Sequence, residues 1–240
     1  MPNTELIPLA GVNVVVVGGT SGLGKECTLS LLSSGARVLA TGRALDKADF
    51  PREHKDGLSL LRYSYPEQAM HEVAVAAQGM FGDSLHALIH CFGPVAAKPI
   101  GETSPAEFSW LLHANAVAFH EAVQSFALQL ADNRGRIIAL SAAGADMLTS
   151  KHMLPAYFAA KSAQLSLVRS WARELAPRGV TVNALGLGAF EGEMKMDASR
   201  VPVGRHGAGA DIGAALKFLL AQDAGYITGA FIPVSGGYSI

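Results

Sequence analysis

Short, continuously apolar runs alternate with longer helical stretches along the whole chain, and this alternation constrains the fold more than any other feature. Runs rich in β-branched residues and apolar at consecutive positions are typical of strands buried on both faces of a sheet. Helix-length stretches between such strands indicate crossover connections, which make neighbouring strands parallel. The strands are predicted at residues 12–17, 36–41, 58–62, 85–91, 136–141, 180–185 and 230–234, and helices at 25–34, 107–130, 157–175 and 210–220.

This alternation predicts an α/β fold, a Rossmann-type doubly wound parallel sheet of about seven strands with helices on both faces. No Pro/Ser-rich linker, repeat or low-complexity tract divides the chain, so residues 1–240 are predicted to form one domain. Ligands of such sheets bind beyond the carboxyl ends of the strands, and we expect the functional site there.

The charge balance excludes several classes of protein. The chain has 19 Lys and Arg residues against 20 Asp and Glu residues, and it contains no basic run. Binding to nucleic acid or to an anionic membrane needs a basic surface, so neither partner is expected. No apolar run reaches the ~18–20 residues of a membrane span. The first residues also lack the basic and apolar regions of a signal peptide.

Cysteine and charge content add two further expectations. Cys27 and Cys91 are typical of buried, reduced thiols, which predicts a cytoplasmic location. Charged residues make up only 16% of the chain, against roughly 25% in typical domains. So few charges leave apolar surface exposed on a monomer, and we therefore expect a homo-oligomer.

A glycine-rich segment joins the first predicted strand to the first predicted helix and indicates dinucleotide binding. Its glycines have the spacing G-x-x-x-G-x-G, which lets the backbone approach a pyrophosphate at the start of a helix. A tight turn without a ligand gives the same local pattern, but the position directly after the first buried strand favours the dinucleotide. The residues assigned to this loop are Gly18, Thr20, Ser21, Gly22, Leu23 and Gly24.

The end of the second predicted strand bears on which dinucleotide is bound. A carboxylate at this place would hold a ribose 2′-hydroxyl group, but the residues present are Gly42 and Arg43. A guanidinium group suits a 2′-phosphate, which favours NADP(H) over NAD(H). An ordinary solvated arginine at a strand end remains the alternative for Arg43.

Tyr157 and Lys161 form a candidate acid–base pair, because residues four apart share one face of a helix. A phenol must lose about 3 pKa units from its reference of ~10 to work near neutral pH. A nearby ammonium group supplies part of this by favouring the phenolate. The pair alone is common in helices, but Ser141 ends the preceding strand and Asn115 interrupts an otherwise apolar helix, where Asn is a poor helix former.

The glycine loop, Asn115, Ser141, Tyr157 and Lys161 occur in the order found in the short-chain dehydrogenase/reductase family. The chain resembles the single-domain branch of that family and is similar to its 3-oxoacyl-acyl-carrier-protein reductases. The resemblance covers the whole chain, with further matching segments at residues 181–185, 202–205, 227–229 and 236–237.

This resemblance implies hydride transfer between nicotinamide C4 and the carbonyl carbon of a small-molecule ketone or 3-oxoacyl substrate. Tyr157 would exchange a proton with the substrate oxygen. Lys161 would lower the pKa of Tyr157 and hold the nicotinamide ribose. Ser141 would hydrogen-bond the carbonyl, and Asn115 would anchor a water leading to Lys161.

Several positions depart from the family pattern at the cofactor site. In the segment that ends at Gly93, His90 replaces an Asn, and Arg62 stands where an Asp commonly meets the adenine. A leucine replaces the proline before Gly188, and Gly192 stands where a Thr often contacts the carboxamide. The resemblance still implies cofactor contacts at Arg62, His90, Gly93 and Gly188. Arg62 is either a second positive group near a 2′-phosphate or an ordinary solvated arginine.

The sequence leaves alternatives open. Ser141 lies slightly farther from Tyr157 than is common, so Ala142 is an alternative alignment. Enoyl reduction on the same fold needs a different tyrosine placement. A nucleotide sensor or scaffold without turnover would explain the departures at His90, Arg62 and Gly192. None of the eight histidines has metal-site spacing, so no metal is expected.

The physiological substrate is not identified by the sequence. The segment expected to border it, residues 189–201, is short and predicts an open pocket, with Met194 and Met196 as adaptable apolar contacts. In related proteins the helices that correspond to residues 107–130 and 157–175 pair across two-fold axes. This implies a tetramer or a dimer.

Overall fold

A parallel sheet forms the centre of the molecule. The computed structural model describes residues 9–193 and 197–239. Its strands are β1 (Asn13–Val17), β2 (Arg37–Gly42), β3 (Leu58–Arg62), β4 (Ala87–His90), β5 (Arg136–Ala142), β6 (Thr181–Leu187) and β7 (Phe231–Val234). They are all parallel, in the order β3-β2-β1-β4-β5-β6-β7. Each predicted strand is present, and the predicted doubly wound α/β fold is confirmed.

The helices of the described residues are α1 (Gly22–Ser33), α2 (Met70–Phe81), α3 (Pro105–Leu112), α4 (Ala118–Ala131), α5 (Pro155–Leu175) and α6 (Gly209–Leu220). The helix predicted at 107–130 is interrupted, because a π-helical turn, His113–Val117, separates α3 from α4. Helix α2 is absent from the predicted set because it contains two valines and Gly79, which are poor helix formers, and no side chain caps its start. None of these helices is long and apolar enough to cross a membrane.

Two apolar cores, one on each face, explain why the strand sequences are continuously apolar. Val15 and Val17 of β1 pack into a cluster with residues of α2, α4 and α5. Val14 and Val16 pack into a second cluster with residues of α1 and α6. Because successive side chains of a strand point to opposite faces, a strand covered on both sides needs apolar residues at every position.

The strand order places a crevice at the carboxyl edge of the sheet. The chain runs from β1 outward through β2 to β3 and then returns to add β4 on the other side of β1. The connections that follow β1 and β4 therefore leave in opposite directions. Such a switch point is where open α/β sheets bind their ligands.

Asn183 ties β6 to the turn that precedes β7. Its Nδ2 donates to the carbonyl oxygen of Ile227 at 2.8 Å, and its Oδ1 accepts from the amide of Ala230 at 3.0 Å. The substitution Asn183→Leu removes the partners of two partly buried backbone groups, so we expect the free energy of unfolding to fall by about 1–3 kcal/mol. Urea unfolding measures this loss, and the slope of the unfolding free energy against urea concentration should be unchanged.

A matched control for Asn183→Leu is Ser170→Ala, which removes an exposed hydroxyl that bonds to the carbonyl of Ser166. Its effect should stay within about 0.5 kcal/mol. A loss of less than about 1 kcal/mol for Asn183→Leu would show that water replaces both bonds.

Candidate functional site

The residues predicted from the sequence come together at the carboxyl edge of the sheet. The glycine loop follows β1, and the candidate arginines lie at the ends of the next two strands. The loop after β4, the π-helical turn, the end of β5 and the first turns of α5 border the same crevice. In chain order the predicted residues here are Gly18, Thr20, Ser21, Gly22, Leu23, Gly24, Arg43, Arg62, His90, Gly93, Asn115, Ser141, Tyr157, Lys161 and Gly188.

The glycine loop is tightly folded against itself. Gly18 has a φ of +76°, which favours glycine, and its amide donates to Oγ1 of Thr41 at 3.1 Å. A Cβ at Gly24 would overlap the carbonyl oxygen of Gly18. The buried hydroxyl of Thr28 contacts the carbonyl oxygens of Gly19 at 2.9 Å and Gly24 at 3.1 Å. The glycines are therefore needed for the close approach of two backbone segments.

The start of α1 is suited to an anion. No side chain in the described residues caps the helix at Ser21, and its first turn contains no acidic residue. A carboxylate oxygen of Glu193 lies 2.8 Å from the position that a Cβ of Gly22 would take. The amides of a helix N-terminus attract such negative charge, and they suit the pyrophosphate of a dinucleotide.

Thr28, which was not among the predicted site residues, holds two carbonyl groups of this loop. The substitution Thr28→Val keeps the shape but removes the hydroxyl, so we expect the free energy of unfolding to fall by about 1–3 kcal/mol. Dinucleotide affinity should fall by about 5-fold as the loop loosens. Urea unfolding and fluorescence titration with NADPH measure the two effects.

Thr103→Val is the matched control, because Thr103 donates a comparable bond to the carbonyl of Pro99 in a separate turn. It should leave dinucleotide affinity unchanged. An unchanged affinity in Thr28→Val as well would contradict a role for this hydroxyl in shaping the loop.

Two arginines lie side by side at the ends of β2 and β3. Arg62 pairs with Gly42 in the sheet, and its Nη1 donates to the carbonyl oxygen of Arg43 at 2.6 Å. Both side chains are exposed. Gly42 has no room for a side chain, because a Cβ there would overlap Oγ1 of Thr20. A carboxylate at position 42 would thus need the loop to move, and the charge offered at this end is positive.

His90 lies at the end of β4 with its ring fully buried. The ring contacts Phe92 and Phe119 edge-on, with centroid distances of 6.4 Å and 5.6 Å. Burial, with a smaller contribution from the charge of Lys161, lowers the pKa of His90 to about 3. The imidazole is therefore neutral, and its side chain packs among aromatic rings of the core.

Asn115 lies in the π-helical turn between α3 and α4 and is fully buried. Its Nδ2 donates to the carbonyl oxygens of Leu111 at 3.0 Å and Pro94 at 3.1 Å. A Cβ at Gly93 would overlap Oδ1 of Asn115 and would lie 3.2 Å from Nζ of Lys161. The missing side chain at Gly93 thus lets Asn115 and Lys161 approach the loop after β4 together.

Tyr157 and Lys161 share one face of α5, as the spacing predicts. The Nζ atom of Lys161 lies 5.8 Å from the ring centroid of Tyr157 and donates to the carbonyl oxygen of Leu140 at 2.9 Å. It also donates to Oε1 of Gln164 at 3.3 Å. Burial lowers the pKa of Lys161 to about 7 and raises the pKa of Tyr157 above its ordinary value of 10.0.

Ser141 points to the face of the sheet that α5 covers. It lies two residues after Ala139, whose side chain belongs to the same apolar cluster as Leu165 of α5. Its hydroxyl is buried and has no hydrogen-bond partner in the part of the chain that the structure describes. A hydroxyl at the edge of the crevice is suited to a ligand oxygen, whereas the alternative residue Ala142 offers no polar group.

Gln164 was not among the predicted residues. The signal available was a glutamine among apolar residues on the buried face of α5, one turn after Lys161. The methionines at 194 and 196 lie outside the described residues. Elsewhere, the described ranges contain no cluster of three His, Cys, Asp or Glu side chains arranged to hold a metal ion.

Comparisons with known proteins agree with this geometry. The family model described as enoyl-(acyl carrier protein) reductase matches residues 17–239. The structure of a mutant Serratia marcescens short-chain dehydrogenase/reductase superposes with a TM-score of 0.86 at 26% identity, covering 97% of this chain and 100% of that one. The chain belongs to the short-chain dehydrogenase/reductase family. The resemblance seen in the sequence is thereby confirmed.

Curated members of the short-chain dehydrogenase/reductase family match along nearly their whole length. An NADPH-dependent aldehyde reductase-like protein of Arabidopsis thaliana is 29% identical, over 97% of this chain and 96% of its own. A 3-oxoacyl-acyl-carrier-protein reductase of Vibrio cholerae is 28% identical, over 95% of this chain and 98% of its own. The similarity to 3-oxoacyl reductases is confirmed, and the chain is an oxidoreductase by family.

Proposed function

We propose that this protein is an NADP(H)-dependent oxidoreductase that interconverts a ketone or 3-oxoacyl-type carbonyl with the corresponding secondary alcohol. The observation that carries the proposal is the buried ammonium of Lys161, 5.8 Å from the ring centroid of Tyr157 at the crevice. A phenol beside a cation is suited to exchange a proton with a carbonyl oxygen. The names of the Arabidopsis and Vibrio relatives support this class of reaction.

The residues at the crevice fit a dinucleotide. The loop Gly18–Thr20–Ser21–Gly22–Leu23–Gly24 would bind the pyrophosphate, and Arg43 with Arg62 would hold a 2′-phosphate. His90, Gly93 and Gly188 stay predicted contacts, with only the backbone of His90 available because its ring is buried. The bound cofactor would supply or accept the hydride at nicotinamide C4. The NADPH named for the Arabidopsis relative supports this choice over NAD(H).

The protein's own groups would manage the proton. Tyr157 donates its phenolic proton to the substrate oxygen in reduction and accepts it in oxidation. Lys161 would offset the effect of burial on Tyr157 by stabilising the phenolate, and it would hold the nicotinamide ribose through its remaining N–H. Ser141 donates a hydrogen bond to the carbonyl oxygen, and Asn115 holds the π-helical turn and anchors a water that leads to Lys161.

The remaining predictions concern assembly and location. We propose that residues 1–240 form one dinucleotide-binding domain of a cytoplasmic homo-oligomer, a tetramer or dimer, acting on a small molecule. Apolar side chains exposed on α3 and α4 support the assembly, with Trp110 39% and Leu128 72% exposed. Neither nucleic acid nor membrane is a proposed partner.

The direct test is a substrate panel. Purified protein with NADPH or NADH is mixed with small ketones, 3-oxoacyl thioesters and 2-enoyl thioesters, and absorbance of the reduced nicotinamide is followed. We expect oxidation of NADPH by at least one carbonyl compound. Binding of NADPH without turnover across the panel would favour the sensor or scaffold alternative.

The enoyl thioester in the panel addresses the second candidate function. The matching family model carries the description enoyl-(acyl carrier protein) reductase, which favours including it. The spacing of Tyr157 and Lys161 on one helix face favours carbonyl reduction. Oxidation of NADPH by the enoyl thioester and by no carbonyl compound would favour enoyl reduction over carbonyl reduction.

A further inference from the structure

Gln164 is a fully buried amide one turn after Lys161 on α5. Its neighbours on the buried face of the helix include Ala160, Leu165 and Val168, which pack against the sheet and α3 or α4. A leucine or methionine would pack at this position without any polar group to satisfy. The presence of an amide here therefore calls for a physical reason.

Only one of the two polar atoms of the Gln164 amide has a hydrogen-bond partner among the described residues. Its Oε1 accepts a hydrogen bond from Nζ of Lys161 at 3.3 Å, while its Nε2 is buried with no partner among the described residues. An unpaired buried donor destabilises the fold. Departures of this kind concentrate at functional sites, where a local cost is offset by what the group does for a ligand or a reaction.

The groups that face Lys161 explain why an acceptor matters. Tyr157 lies on the same helix, His90 on β4 and Cys91 directly after it. Burial raises the pKa of Tyr157 and lowers that of His90. A hydrogen bond with Cys27, together with burial, raises the pKa of the Cys91 thiol.

None of these three groups is negative at neutral pH, so the neutral dipoles that accept hydrogen bonds from Nζ contribute to keeping the ammonium charged. The two dipoles that accept from Nζ are the carbonyl of Leu140 and Oε1 of Gln164. The carbonyl belongs to β5 and is fixed by the sheet, whereas the amide of Gln164 is a side-chain contribution that one substitution removes. Hydrogen bonds to a charged form favour that form.

We propose that Gln164 is a positioning residue of the reaction: its Oε1 keeps the ammonium of Lys161 charged and fixed beside Tyr157, so that the phenol can ionise within the working pH range. This inference rests on the proposed function, because it concerns the acid–base step of that reaction. Gln164 is fully buried and acts through Lys161.

The test is the pH dependence of kcat in both directions for Gln164→Met, which keeps an unbranched side chain of similar length but removes the acceptor. Oxidation of the alcohol fails below the apparent pKa of Tyr157, and reduction of the carbonyl fails above it. Without the acceptor, the charged form of Lys161 is less favoured. A phenolate beside it is then less stabilised, which raises the pKa of Tyr157. We expect both limits to move to higher pH by about 0.5–1 unit.

A merely structural role would lower kcat without moving either limit. Leu165→Met, a packing change on the same helix face, is the control and should keep the wild-type limits. Gln164→Leu is the second variant, should Gln164→Met fail to fold, and it should show the same displacement.

If the wild-type protein is active and the pH limits of kcat do not move in either Gln164 variant, this proposal is overturned and the proposed function stands. Wild-type protein with no turnover in either direction would overturn the proposed function, and the role of Gln164 with it. The two failures are thus distinguished before any variant is made.

Discussion

The substitution Tyr157→Phe should lower kcat by about 10²–10⁴-fold, because it removes the general acid–base group and nothing else. The ring remains, so its contact with Phe158, edge-on at 5.8 Å, is kept. Affinity for NADPH should change by less than about 3-fold, since the phenol contributes at most one hydrogen bond to the cofactor. Steady-state kinetics on the best carbonyl substrate and fluorescence titration with NADPH measure the two quantities.

A second tyrosine offers a matched control. The hydroxyl of Tyr63 is buried and has no hydrogen-bond partner within the described ranges, on the side of the sheet covered by α2 and α4. Tyr63→Phe removes the same atom from the core cluster with α2 and α4 and leaves Tyr157 in place, so kcat should stay at the wild-type level. Retention of more than about a tenth of kcat in Tyr157→Phe would contradict the assigned role, since general acid–base groups contribute far more.

Arg43→Ala should weaken NADPH binding by about 10–100-fold, the value of one or two charge-assisted hydrogen bonds to a phosphate. Affinity for NADH should change little, because NADH has a hydroxyl group where NADPH carries the phosphate. The guanidinium is exposed at the end of β2, so removing it leaves the core intact. Titration of the wild-type and Arg43→Ala proteins with NADPH and with NADH gives the ratio of the two affinities for each protein.

Arg178→Ala is the control for Arg43→Ala, since it removes an exposed arginine between α5 and β6, at the opposite edge of the sheet. It should leave both affinities unchanged. An Arg43→Ala protein with the wild-type preference for NADPH would overturn the assignment of the 2′-phosphate site, and Arg62, bonded to the Arg43 carbonyl, would be the next candidate.

The strands were predictable because burial on both faces leaves a strong local signal. Every residue of β1 is buried, and its valines are apolar at successive positions in the sequence itself. Helix α2 gave no such signal, because the packing of its Val73 and Ala77 against the sheet stabilises a segment with weak helix propensity. Asn115 did mark the interruption of the long helix, but a π-helical turn depends on tertiary contacts to Pro94 that local sequence does not show.

The predicted site residues lie together at one crevice, but the electrostatics of that crevice were not predictable from the sequence. The helical spacing of Tyr157 and Lys161 placed both on one face, where an ammonium favours the phenolate. The structure adds burial, which lowers the pKa of Lys161 to about 7 and raises that of Tyr157. Burial of this kind comes from how β5, α5 and the loop after β4 pack together, as does the hydrogen bond of Gln164 to Lys161.

Close approaches between distant segments were likewise invisible in the sequence. Gly42 was noted in the sequence because no carboxylate stands there to bind a ribose hydroxyl. In the structure it also leaves room for Thr20 of the glycine loop. Gly93 was predicted as a cofactor contact, and it also leaves room for Oδ1 of Asn115 and Nζ of Lys161. Both glycines join segments far apart in the chain, so their role follows only from the folded arrangement.

The most direct measurement is the transfer of deuterium from NADPH that carries two deuterium atoms at nicotinamide C4 to the product of a carbonyl substrate from the panel. Product isolated after complete conversion is examined by mass spectrometry and proton NMR. Hydride transfer to the carbonyl predicts one deuterium, bonded to the carbon that bears the new hydroxyl group. Product without deuterium, or with deuterium only at another carbon, would contradict carbonyl reduction at Tyr157 and Lys161.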